Sequence, residues 1–100
     1  MESDNLQITF IVPHGDACDV MTVAREAGAK GGTILNAHGT YRGEDVEFFG
    51  MTLGSEKEML IIVAEKDAAE NILHAVKELA VFKKTGGGII YTTEVARFMP

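Results

Sequence analysis

The chain contains no tryptophan, a single cysteine, two prolines, and only five phenylalanines and two tyrosines among its aromatic residues. Each scarcity narrows the possibilities. One cysteine, Cys18, excludes an internal disulfide and agrees with a reducing compartment. No apolar run approaches the ~20 residues of a membrane-spanning helix. The first residues, Met1, Glu2, Ser3 and Asp4, are acidic rather than the basic start of a secretory signal, so a cytoplasmic protein is expected. Positive charge is also scarce: nine Lys and Arg face fifteen Asp and Glu, for a net charge of −6. Binding to nucleic acid through counterion release needs a basic face, and that class of partner is excluded.

What remains is a chain of 100 residues, 46% hydrophobic and 24% charged, which fits a single domain spanning 1–100. Residues 6–13 alternate, with Leu6, Ile8, Phe10 and Val12 on one face and Pro13 closing the run, as a first strand does. His14, Gly15 and Asp16 form a turn. Asp16 is the expected N-cap of a helix whose apolar side carries Ala17, Val20, Met21, Ala24 and Ala27 and which Gly28 stops. A second strand follows at 32–38. The segment 39–55 then loses its period under four glycines while keeping Tyr41, Phe48, Phe49, Met51 and Leu53, residues that a solvated linker would not need. It reads as a long functional loop, with a self-paired hairpin as the plainer alternative.

Residues 57–64 are almost continuously apolar, which predicts a central strand buried on both faces. Asp67 is the expected cap of a second helix carrying Ala69, Ile72, Leu73, Val76, Leu79 and Ala80 on its apolar side. A fourth strand is expected at 89–93. The order β-α-β-β-α-β is that of an α+β, ferredoxin-like domain: a four-stranded antiparallel sheet with both helices on one face. Two helices cover one side only. Because Ile61 and Val63 alternate with Leu60 and Ile62, the uncovered side is apolar too, and burial against further copies of the chain is expected.

Between the second helix and the last strand stands Lys83, Lys84, Thr85, Gly86, Gly87 and Gly88. Three consecutive glycines open positive-φ backbone and let amide N–H groups converge as an anion-binding nest, with two ammonium groups beside it. A helix C-cap followed by a tight turn is the plainer reading of the same residues.

At this point the chain resembles the PII signal-transduction family, in particular its small PII-like branch, over nearly its whole length. Four pieces carry the resemblance: Gly31-Gly32-Thr33-Ile34; a long loop with Tyr41-Arg42-Gly43; Lys57 leading into an apolar strand; and Thr85 to Tyr91 running on to Glu94-Val95-Ala96-Arg97. The resemblance implies a homotrimeric regulator that binds adenine nucleotides in clefts between subunits, senses 2-oxoglutarate and inserts a flexible loop, the T-loop, into a target transporter or enzyme. It makes 39–55 the T-loop, 83–88 the nucleotide-facing loop and Lys57 the basic residue at the T-loop base. The ligand-binding set it implies is Gly39, Arg42, Lys57, Lys83, Lys84, Thr85, Gly86, Gly87 and Gly88, for an adenine nucleotide or another small anionic effector. The chain departs from the family pattern in four respects. Ile89 stands where typical members have lysine. Arg97 is followed by Phe98, Met99 and Pro100 rather than by a pair of arginines. The T-loop is a few residues short, and Val46 occupies the position of the tyrosine that some members uridylylate. Weaker triphosphate binding and no uridylylation are therefore expected.

No nucleophile-base pair is visible, so a binding protein is favoured over an enzyme. The alternative is a small trimeric metal-handling protein or enzyme on the same fold. His14, His38 and His74 with Asp16, Cys18 and Asp19 match no zinc spacing, His74 is expected to be packed or half-exposed, and Cys18 reads as core.

Overall fold

The computed structural model describes residues 4–39, 46–48, 51–53, 56–84 and 87–100. Strand β1 (Asn5–Pro13) leads into helix α1 (Ala17–Glu26) and strand β2 (Thr33–His38); two short strands, β3 (Val46–Phe48) and β4 (Met51–Leu53), follow. Strand β5 (Glu56–Glu65), helix α2 (Lys66–Val76), a 3₁₀ turn (Ala80–Phe82) and strand β6 (Ile89–Val95) complete the order. The main sheet is antiparallel in the order β2-β5-β1-β6, the α+β ferredoxin-like arrangement. The apolar run at 57–64 is an interior strand, as its two-sided hydrophobicity requires.

Register puts Ile8, Phe10 and Val12 beside Ile62, Leu60 and Glu58 on the face that the helices cover. There Ile8, Phe10, Val12, Leu60 and Ile62 pack against Ala17, Val20 and Ala24 of α1 and Ala69, Ile72 and Val76 of α2, all at 1% exposure or less. Removing each large side chain from water contributes about 1.5–3 kcal/mol, so this single cluster dominates the favourable side of folding. The opposite face carries Ile11, Met59, Ile61 and Val63 half-buried, with Leu35, Ile89 and Tyr91 exposed on the two edge strands.

Helix α1 ends as the sequence predicts. Gly28 takes φ +121, its N–H reaches the Arg25 carbonyl, and the Ala29 N–H reaches Ala24, a Schellman closure that needs a residue without a Cβ. Helix α2 departs from expectation at both ends. Its N-cap is Glu65, placing Asp67 in the first turn, where an acidic side chain still suits the helix dipole. It stops at Val76, and Leu79 is extended before the 3₁₀ turn, so Leu79 and Ala80 are not part of its stripe. Cys18, expected in the core, is exposed; one residue from Ala17 is a rotation of about 100° around the helix, enough to leave the buried side. His74 is exposed rather than packed. Within 39–55, β3 and β4 pair as an antiparallel hairpin, so the plainer alternative holds for those residues. Arg42, Thr85 and Gly86 lie outside the described residues.

Candidate functional site

Strands β1 and β2 finish, and β5 and β6 start, at one end of the sheet. There Lys57 stands between Pro13 of β1 and Ala37 of β2, and one step inward Ile11 opposes Ile89. The turn at His14, Gly39 and Gly88 therefore lie at this end. From Lys57 on β5 across β1 to the line of β6 is two strand spacings, about 10 Å. This places Gly39, Lys57 and Gly88, from three of the sequence-predicted pieces, at the same end of the sheet. Gly39 lies directly over Lys57, since a Cβ added to it would sit 3.7 Å from Lys57 Cγ. Lys57 is 9% exposed.

Gly87 and Gly88 are shaped by packing rather than by left-handed backbone. Among the described residues positive φ occurs at Gly15 and Gly28, not at Gly87 or Gly88. The Gly87 N–H is already committed to the Lys84 carbonyl at 3.1 Å, so it cannot contribute to an anion nest. The open nest expected from three glycines is to this extent corrected. Gly87 is buried, and a Cβ there would overlap the Val81 carbonyl oxygen; one on Gly88 would come 2.6 Å from the Phe82 ring. The chain thus passes flush against the 3₁₀ turn. Phe82 in turn meets Phe10 with ring centroids 6.1 Å apart, which ties the loop to the core.

Two lysines flank this loop in different states. Lys83 holds Glu78 at 2.9 Å on the surface, and this hydrogen bond keeps the Glu78 carboxyl below its ordinary range. An exposed pair of this kind opens readily, leaving Lys83 available to a ligand. Lys84 lines a cleft of about 310 Å³ with Asp16, Asp19, Val20 and the 3₁₀ turn, so acidic groups face it. A roomier groove of about 450 Å³ lies elsewhere, between α2 and the edge strand β6, lined by Leu73, His74, Lys77 and Tyr91 among others. It holds none of the predicted ligand residues. Among the described residues no three His, Cys, Asp or Glu side chains come together as a metal set, and no helix is long and apolar enough to cross a membrane.

Sequence reasoning missed Glu58. Asp16 occupies the N-cap of α1 but makes no side-chain capping bond; instead Glu58 Oε1 accepts the N–H of Gly15 at 2.9 Å and of Ala17 at 3.0 Å. No local signal could have found this, because 41 residues separate the helix start from its cap. The Ala17 amide, opposed by partial burial and helped by Gly15 and the nearby His14, lowers the Glu58 carboxyl below its ordinary range. A carboxyl so held stabilises the fold fully above its unfolded value and loses that contribution as pH falls through the depressed folded value. The difference in melting temperature between wild type and Glu58→Gln should accordingly stay constant from neutrality to about pH 5 and shrink towards zero below about pH 4. A difference that grows on acidification would show that the charge is not what the two amides hold.

A family profile described as nitrogen regulatory protein P-II matches residues 6–99. Among proteins with curated descriptions, no sequence matches this chain. Solved structures with the same fold include a PII-like signalling protein of Thermus thermophilus, 21% identical with a TM-score of 0.67, covering 95% of this chain and 91% of that one. PII of Arabidopsis thaliana bound to citrate is 22% identical with a TM-score of 0.70, covering 93% and 78%. The GlnK–ATP complex of B. subtilis is 16% identical with a TM-score of 0.71, covering 96% and 85%.

Proposed function

The chain belongs to the nitrogen regulatory protein P-II family, and on that premise we propose that it is a signalling regulator rather than an enzyme: a homotrimer that binds a small anionic effector of nucleotide type at its intersubunit clefts and reports it through 39–55 to a target transporter or enzyme. What supports this reading is a chain matched to the family over 6–99 in which Gly39, Lys57 and Gly88 lie at one end of the sheet. The effector contacts are assigned to Gly39, Arg42, Lys57, Lys83, Lys84, Thr85, Gly86 and Gly88, with Gly87 holding the loop against the 3₁₀ turn rather than donating to the ligand. Lysine ammonium groups and backbone amides hold phosphate or carboxylate through charge-assisted hydrogen bonds.

Assembly is supported by the uncovered sheet face. Ile89 at 54% exposure and Tyr91 at 46% on one edge, with Leu35 at 41% on the other, form apolar surface that a lone subunit would leave in water. Light scattering at micromolar concentration should return three times the 10.8 kDa of one chain; a stable monomer would remove both the assembly and the intersubunit site. The effector class is tested by thermal shift and mass spectrometry on the purified protein with ATP, AMP, cyclic AMP, citrate, 2-oxoglutarate and bicarbonate. Stabilisation by none of them would end the reading as an anion sensor.

A further inference from the structure

Three hydrogen bonds fasten the turn between β1 and α1 to the first residues of β5. The His14 N–H donates to the Glu56 carbonyl at 3.2 Å, and Glu58 Oε1 accepts from both Gly15 and Ala17. A helix needs some acceptor for its first N–H groups, and Asp16 is the residue type that ordinarily supplies it from the N-cap itself. Here the acceptor comes from a strand. A local cap would stabilise α1 alone, whereas a cap delivered by β5 also makes the position of the start of β5 depend on the helix turn. Lys57 lies between the two anchored residues, with Glu56 held through its carbonyl and Glu58 through its carboxylate, and alternation sends the Lys57 side chain to the other face of the sheet. The same strand start is where the 39–55 segment returns to the sheet. Because Glu58 takes over the capping, the Asp16 side chain is left to line the cleft that holds Lys84.

We propose that Glu58 is a positioning residue for the effector site: by pinning the Gly15–Ala17 amides to the start of β5 it holds Lys57 and the base of the 39–55 segment in place beside the glycine loop. The ligand part of this inference rests on the function proposed above; the positional part does not. Glu58 touches no effector in this scheme. It acts through the strand start.

The test uses the full chain as wild type, Glu58→Ala and Glu58→Gln. Glutamine keeps an oxygen that can accept both amides and loses only the charge, while alanine loses both bonds. In the unliganded protein, amide hydrogen exchange in Glu58→Ala should accelerate about tenfold at Gly15 and Ala17, and by a similar factor at Lys57 and Ala37, with Leu60 and Ile62 unchanged and with most of the protection retained in Glu58→Gln. Acceleration confined to α1, with Lys57 and Ala37 as protected as in wild type, would overturn the proposal and leave Glu58 a helix cap. Calorimetry with AMP supplies the second readout: Glu58→Ala should weaken binding about tenfold at unchanged stoichiometry, and Glu58→Gln should restore most of it. Equal AMP affinity in all three proteins would likewise overturn it. If wild type binds no AMP the functional reading is what fails, and the exchange pattern alone decides the role of Glu58.

Discussion

Gly87→Val is expected to lower the melting temperature by several degrees and to abolish effector binding. The cause is steric. Gly87 is buried, and a Cβ there would collide with the backbone oxygen of Val81 while approaching Lys84 Cγ to 2.8 Å and the Lys84 carbonyl oxygen to 3.0 Å. Backbone cannot swing aside as a side-chain tip can, so the 3₁₀ turn or the loop must move. Overpacking of this kind costs about 1–3 kcal/mol, and a domain of this size loses about 4–8 °C per kcal/mol. The displacement falls on Lys83 and Lys84, which are attached to the same turn, so binding is lost with it. Gly31→Ala is the control, since a Cβ there meets nothing within 4 Å. Thermal unfolding and calorimetry on the two variants decide the matter. Unchanged AMP affinity in Gly87→Val would show that the glycine loop is a connection between α2 and β6 and nothing more.

The second large effect is a gain. Ile89 is 54% exposed at the start of β6, opposite Ile11, in the position where typical members of the family carry lysine. Ile89→Lys adds an ammonium group beside the glycine loop, and because Ile89 also belongs to the apolar face assigned to assembly, light scattering on the variant must return the wild-type mass before affinities are compared. Taking about 1.5–3 kcal/mol for a hydrogen bond to a charged group, ATP affinity should rise roughly 10- to 150-fold, with a smaller rise for AMP because it offers fewer phosphate oxygens. Equal gains for both nucleotides would mean that the new charge acts through the general field and not through the outer phosphates.

Much of this architecture can be read directly from the chain. Alternation from Leu6 to Val12, the unbroken apolar run through Ile61 and Ile62, and the Gly28 stop are local patterns with one physical reading each, and the strand order followed from them. The helical period alone could not locate the end of α2, because Leu79 continues the spacing of Ile72 and Val76 while its backbone is extended. The hairpin Val46–Phe48 with Met51–Leu53 was legible only as the plainer of two readings of 39–55, because three-residue strands are shorter than any window that shows alternation. The run of glycines suggested left-handed backbone, which the described Gly87 and Gly88 do not adopt. Close approach to Val81 and Phe82, rather than positive φ, explains Gly87 and Gly88, and such an approach is visible only once the 3₁₀ turn is in place. The Glu58 cap was illegible for the same reason: it joins residues that only the fold makes neighbours.

The central claim is that the sheet end bearing Gly39, Lys57 and the glycine loop binds a small anion carrying few charges. Calorimetric titration of the wild-type protein with AMP, and with ATP under the same salt, tests it most directly. The account predicts saturable AMP binding at one site per chain, with ATP binding no tighter. Micromolar ATP binding in the absence of any heat from AMP would contradict it.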